Sequence, residues 1–132
     1  MFAEVKSMLP VSGDAYDPDI VMQIKAAALD LTRTAEIILP GEIDISIETR
    51  QYKDDQGNPM LDEDTGEPMT YQVVVDNSTL DDELIITAIA TWCAARIGNP
   101  PNYDNLLKAY ESLKGQMRLS KSYTAYTEEA EA

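Results

Sequence analysis

The side chains best able to do chemistry in this chain are carboxylates, and six of them, Asp54, Asp55, Asp62, Glu63, Asp64 and Glu67, gather within one short stretch. Hard cations prefer oxygen ligands, so Asp62, Asp64 and Glu67 are the residues to test first as a metal set. An EF-hand loop places acids at alternate positions around a central glycine and closes on a bidentate Glu. Here Asp62-Glu63-Asp64-Thr65-Gly66 runs instead into Glu67-Pro68 and a strand-like segment, which describes a solvated loop. Paired carboxylates doing acid-base work need burial to drive their pKa values apart. These acids stand in turn-like or helix-start positions, so no catalytic pair is expected. The chain holds no histidine, which removes the commonest general base, the Ser-His and Cys-His pairs and the usual zinc ligands.

Cys93 is the only cysteine, so no internal disulfide can form. Its setting, Ala90-Thr91-Trp92-Cys93-Ala94-Ala95, is that of a small buried hydrophobe. Ser12-Gly13-Asp14 and Gly98-Asn99-Pro100 lack the repeated glycines and the Lys-Ser/Thr of a phosphate loop and read as turns. Trp92, Tyr103 and Tyr110 read as core aromatics, whereas Tyr123 and Tyr126 stand in a polar stretch that suits an interface formed on binding. The residues therefore point away from an enzyme, with no catalytic, cofactor-binding or metal-binding residue expected.

The elements that must position these groups are mostly helical. Phe2, Val5, Met8 and Leu9 recur at three and four residues before Pro10, giving a short amphipathic helix. Asp17 then precedes Pro18, an N-cap followed by a ring preorganised for the first helical turn. Ile20, Ile24, Ala27, Leu31 and Ala35 form the buried stripe of that helix, which Pro40-Gly41 stops. Ile43, Ile45 and Ile47 alternate with polar residues, as do Tyr71, Val73 and Val75, so two strands can pair as a hairpin. Between them, 53–69 is expected to be a long mobile acidic loop.

Ser78 or Thr79 is positioned to cap the next helix, which is apolar on nearly every side from 84 to 97 and should lie inside the protein. Gly98 can end it in a left-handed cap, and Pro100-Pro101 forbids continuation. Asn102 opens a last helix with Tyr103, Leu106, Leu107, Tyr110, Leu113 and Met117 on one face. That helix also carries a basic stripe, Lys108, Lys114, Arg118 and Lys121, on an otherwise acidic chain. No internal repeat is evident. The expectation is one mostly α domain over 1–121, a small bundle of about four helices with an inserted β-hairpin at 42–76, and a flexible tail over 122–132.

With 132 residues, one core can form. The apolar run at 84–97 is too short to cross a bilayer, and the first residues lack the pattern of a secretion signal, so residence in the cytoplasm is expected. A formal net charge of −14 opposes adhesion to nucleic acid, because phosphate contacts need clustered Lys and Arg. The same charge would let DNA slide past a surface without sticking.

Three features in order, a short first helix, Asp17-Pro18 opening a second, and Asp82-Glu83-Leu84 leading into an apolar helix, are followed by Tyr103-Asp-Asn-Leu-Leu-Lys-Ala-Tyr-Glu-Ser-Leu-Lys-Gly-Gln-Met-Arg-Leu-Ser-Lys-Ser-Tyr-Thr124. This organisation resembles the head-tail connector (adaptor or head-completion) proteins of tailed bacteriophages, most of all their Gram-positive phage and prophage branch. The resemblance implies a helical virion subunit that forms a ring, twelvefold in the virion, below the portal protein and continues the DNA channel toward the tail. Its implied partners are copies of itself, the portal and a downstream neck or tail protein. DNA would pass without sequence-specific binding, no membrane or cofactor would be involved, and the subunit would move from the host cytoplasm into the virion neck. The 43–75 insert is longer than in the simplest members.

Within that reading Asp54, Asp55, Asp62, Glu63, Asp64, Tyr123 and Tyr126 belong to docking segments, and Lys108, Lys114, Arg118 and Lys121 are expected to meet acids of a neighbouring subunit. Two rival readings are an acidic DNA mimic that sequesters a host factor and a small divalent-metal enzyme using the acidic loop. A melting shift with divalent ions that EDTA abolishes would mark the latter.

Overall fold

The computed structural model describes residues 1–97, 100–120 and 123–124. Among them are four helices, α1 (Phe2–Ser7), α2 (Asp17–Arg33), α3 (Glu83–Arg96) and α4 (Tyr103–Leu119), and a two-stranded antiparallel sheet of β1 (Ile45–Gln51) and β2 (Thr70–Asp76). No helix among the described residues is long and apolar enough to cross a membrane.

α3 is central because its sequence gives it almost no polar face. Ile85, Ile86, Ala88, Ile89, Ala90, Cys93 and Ala95 are all buried, and α1, α2 and α4 pack around it. The stripe of α2, Ile20, Ile24, Ala27 and Leu31, faces this helix together with Val21. α4 contributes Tyr110 and Met117 to the same core, while Leu113 packs against its margin. Trp92 is half-buried on α3. Its indole N–H donates to Gln23 Oε1 at 3.0 Å, the Arg96 guanidinium lies 3.4 Å over its ring, and Tyr110 meets it edge-on at 5.1 Å. Tyr103, in contrast to its expected core role, is 44% exposed at the first position of α4.

Helix boundaries differ from expectation for local reasons. Tyr16, and not Asp17, occupies the N-cap of α2, so Asp17 becomes a first-turn carboxylate that accepts from Lys6 Nζ at 2.7 Å and ties α1 to α2. α2 ends at Arg33, well before Pro40-Gly41. Its last turn closes through Ile37 N–H donating to Leu31 O at 3.1 Å, which requires Glu36 to adopt a left-handed φ of 56°. The cap of α3 is Asp82, whose Oδ1 accepts from the backbone N–H of Ile85 at 3.0 Å. Ser78 and Thr79 do something else: their hydroxyls accept from the N–H groups of Asp44 and Glu42, each at 2.9 Å. They fasten the base of the hairpin. The cap expected at Gly98 lies outside the described residues.

The hairpin runs in register from Ile45 opposite Asp76 to Gln51 opposite Thr70. Ile45 is buried at its base, where β1 meets α2, while Ile47 and Val74 border the core. Toward the other end every residue from 48 to 61 is exposed, so the hairpin forms an arm whose tip adds nothing to the core, while Thr49 and residues 70–74 line a cleft bounded on its other side by Asp14, Ala15, Asp17 and Pro18.

Candidate interaction site

The end of this arm is folded. The segment 53–69, expected to be a long mobile loop, turns back on itself twice, with bridges between Lys53 and Pro59 and between Leu61 and Pro68. In the first turn the Asp54 carboxylate accepts from the N–H groups of Gln56 and Asn58, both at 2.9 Å, and Gly57 takes a φ of 83°. In the second, Asp62 accepts from Asp64 N–H at 2.8 Å and Thr65 N–H at 3.1 Å, and Gly66 takes a φ of 75°. The two turns share a pattern the sequence does display: Asp54 followed by Gly57-Asn58-Pro59-Met60, and Asp62 followed by Gly66-Glu67-Pro68-Met69. The two copies are offset by nine residues, Gly57 to Gly66, Pro59 to Pro68 and Met60 to Met69, and two copies are fewer than a repeat fold needs.

A cycle of three backbone hydrogen bonds joins the turns to the hairpin. Tyr52 N–H donates to Met69 O at 2.9 Å, Met69 N–H to Met60 O at 2.8 Å, and Met60 N–H to Tyr52 O at 2.8 Å. The backbone is thereby satisfied without burying side chains. Tyr52, Met60, Leu61 and Met69 are left 41–56% exposed, and Tyr52 packs against Tyr71 with ring centroids 4.6 Å apart and planes tilted by 44°. Asp55, Glu63, Asp64 and Glu67 are exposed on the same two turns. The tip is thus an apolar cluster set among acids, and Asp54 and Asp62 serve as its turn-forming carboxylates. Among the described residues no three Asp, Glu or Cys side chains are grouped to hold a metal ion.

The basic stripe of α4 divides. Lys108 and Arg118 are exposed, but Lys114 is only 13% exposed and is paired within the chain, 3.2 Å from Asp30 Oδ2 and 3.3 Å from Glu111. Asp30 also accepts from the Tyr110 hydroxyl at 2.5 Å and from Thr34 Oγ1 at 3.1 Å. Partial burial pushes the Asp30 carboxyl up, yet the hydrogen bonds from Tyr110 and Lys114 outweigh it and hold the group below its ordinary value. For Tyr110, burial and then the Asp30 carboxylate push the phenol well above its ordinary value. Lys114 accordingly belongs to the α2–α4 contact, which sequence spacing could not reveal across 84 positions. Lys121 lies outside the described residues.

Tyr123 is docked on its own chain, in contrast to the free tail expected from 122 onward. Its hydroxyl donates to Asp82 Oδ2 at 2.8 Å, its carbonyl accepts from Ile38 N–H at 2.8 Å, and Thr124 bridges Ile37 in antiparallel sense. Asp82 therefore caps α3 with one oxygen and anchors the C-terminal segment with the other. Tyr126 lies outside the described residues. Cys93 is fully buried, and burial pushes its thiol up to about 12. No family model, no curated protein and no solved structure matches this chain.

Proposed function

We propose that this protein is a non-catalytic assembly subunit, a head-tail connector of a tailed bacteriophage or prophage that forms a ring below the portal and carries the DNA channel toward the tail. The observation that supports this reading best is the arm: a hydrogen-bonded tip presenting Tyr52, Met60, Leu61 and Met69 to solvent, set off from the core by exposed residues. Clustered apolar side chains on such a projection have no value to the isolated subunit and suit a protein partner. Methionines adapt to a partner's contours, and the surrounding acids select a basic rim. Several carboxylates serve structure: Asp82 and Asp54 accept from backbone N–H groups, and Asp30 joins two helices. The charge of −14 suits a DNA conduit that must not adhere to its cargo.

Negative-stain imaging of the protein mixed with the portal encoded beside it tests the proposal. Rings capping the portal's tail-side face are the expected result. A protein that leaves the portal bare but binds a basic DNA-binding protein as a monomer would instead be a DNA mimic, and the proposal would fail.

A further inference from the structure

The arm has two open edges. Apart from the bonds that β1 and β2 make with each other, no backbone group of Ile45–Gln51 or Thr70–Asp76 bonds the backbone of another described residue. A two-stranded ribbon of this kind is marginal alone and is a ready template for further strands. Natural edges are usually blunted by charge or proline, but Thr70-Tyr71-Gln72-Val73-Val74-Val75 carries neither and is rich in β-formers. On β1 the two charges cancel, since Arg50 lies 3.0 Å from Glu48. Asp76, at the end of β2, is already held by the N–H groups of Phe2 at 2.8 Å and Ser78 at 3.0 Å. In a chain of net charge −14, Ile45–Gln51 and Thr70–Val75 together carry no net charge, so pairing of these strands between copies adds no like-charge repulsion of its own.

From these observations we infer that the arm is the self-contact of the subunit: the outer edge of β2 in one copy pairs antiparallel with the outer edge of β1 in the next. This contact is head to tail, because the two edges are different surfaces of one molecule, and a head-to-tail contact is what a closed ring requires. Strands then alternate in direction around the assembly, and on one face of the sheet Tyr71, Val73 and Val75 of each β2 alternate with Ser46, Glu48 and Arg50 of each β1. The acidic tips of all copies gather on one rim, so assembly strengthens with salt as their repulsion is screened. The inference rests on the ring reading above and names the surface that reading leaves open.

Hydrogen exchange and sedimentation of the full chain, from dilute to concentrated and at low and high salt, test it. Expected is a concentration-dependent oligomer, favoured by salt, in which amides of both 45–51 and 70–76 exchange at least about tenfold more slowly than in the monomer. Val73→Lys puts a lysine opposite Glu48 within the hairpin, which keeps the arm folded while placing a charge on the edge. That variant should stay monomeric with unchanged helical content. Rings that form with strand amides unprotected, or a Val73→Lys protein that assembles like the parent, would overturn this contact while leaving the ring reading in place. A chain that neither self-associates under any of these conditions nor caps a portal would overturn both.

Discussion

Asp82 concentrates two jobs in one carboxylate, and the two can be separated by substitution. Asp82→Ala removes both the N-cap of α3 and the acceptor for Tyr123, whereas Tyr123→Phe removes only the second. Loss of a cap costs about 0.5–2 kcal/mol, and loss of a neutral hydrogen bond about 0.5–1.5 kcal/mol. Urea unfolding should therefore place Asp82→Ala below Tyr123→Phe, and both below the parent. If the two variants unfold at the same midpoint, the cap contributes nothing. The Asp30–Tyr110 pair makes a pH argument of the same kind. Asp30 sits below its ordinary value in the folded protein, so its contribution is full above the usual carboxylate range and is lost as acid titrates through it. Tyr110 sits above its ordinary value, so its contribution is full below about pH 10 and is lost as pH rises further. Tyr110→Phe should flatten the alkaline limb of stability against pH and shrink the acid limb, because Asp30 loses a donor. Urea midpoints that fall in parallel with the parent at both ends would show that the hydrogen bond is not the source.

At the scale of elements, what the sequence revealed and what it hid have different physical origins. The stripe Ile20, Ile24, Ala27, Leu31 and Ala35 is wholly buried, and the all-apolar run from 84 lies at the centre, because periodicity reports directly on which face meets protein. The alternation of Ile45 and Ile47 likewise found β1. Caps were less legible. Ser78, Thr79 and Asp82 are all good cap formers, and only tertiary contact with Glu42 and Asp44 decides which one caps. Pro40-Gly41 shows the same limit: read as a helix stop, it lies beyond a helix that Glu36 has already ended. Gly41 has a different task. At its φ of 155°, a Cβ would stand 2.7 Å from Leu80 Cα and 2.8 Å from Leu80 N, backbone atoms that cannot rotate away. Gly41→Ala should cost roughly 1–3 kcal/mol through strain and overpacking. Gly115 of α4 has nothing within 4 Å of its would-be Cβ, so Gly115→Ala should gain about 0.5–1 kcal/mol in helix propensity. Thermal or urea unfolding that ranks the two in the opposite order would mean that the approach of Gly41 to Leu80 does not constrain the fold.

For the whole molecule, the division between a helical body and an exposed arm predicts that stability and docking can be cut apart. The apolar core is built from the four helices, from Leu9, Ala35, Ile37, Leu80 and Ile97 in the segments flanking them, and from Ile45 at the hairpin base, while 48–61 and 63–70 are exposed throughout. The acidic composition of the loop is a fair guide to its exposure but does not display its turns, in which Asp54 and Asp62 satisfy backbone N–H groups that solvent would otherwise serve. Because the turns close on themselves through Tyr52, Met60 and Met69, they can be removed as a unit. Replacing 53–68 with Asn-Gly joins Tyr52 to Met69 through a two-residue hairpin turn matched to the twist of β1 and β2. The shortened protein should keep its helical circular dichroism and unfold within about 0.5 kcal/mol of the parent, because it loses no core contact. It keeps both strand edges, so it should still self-associate, yet it should no longer dock on its assembly partner. Retained docking by the shortened protein would move the interface off the tip and onto the helical body, where Lys108 and Arg118 are the exposed cations of α4.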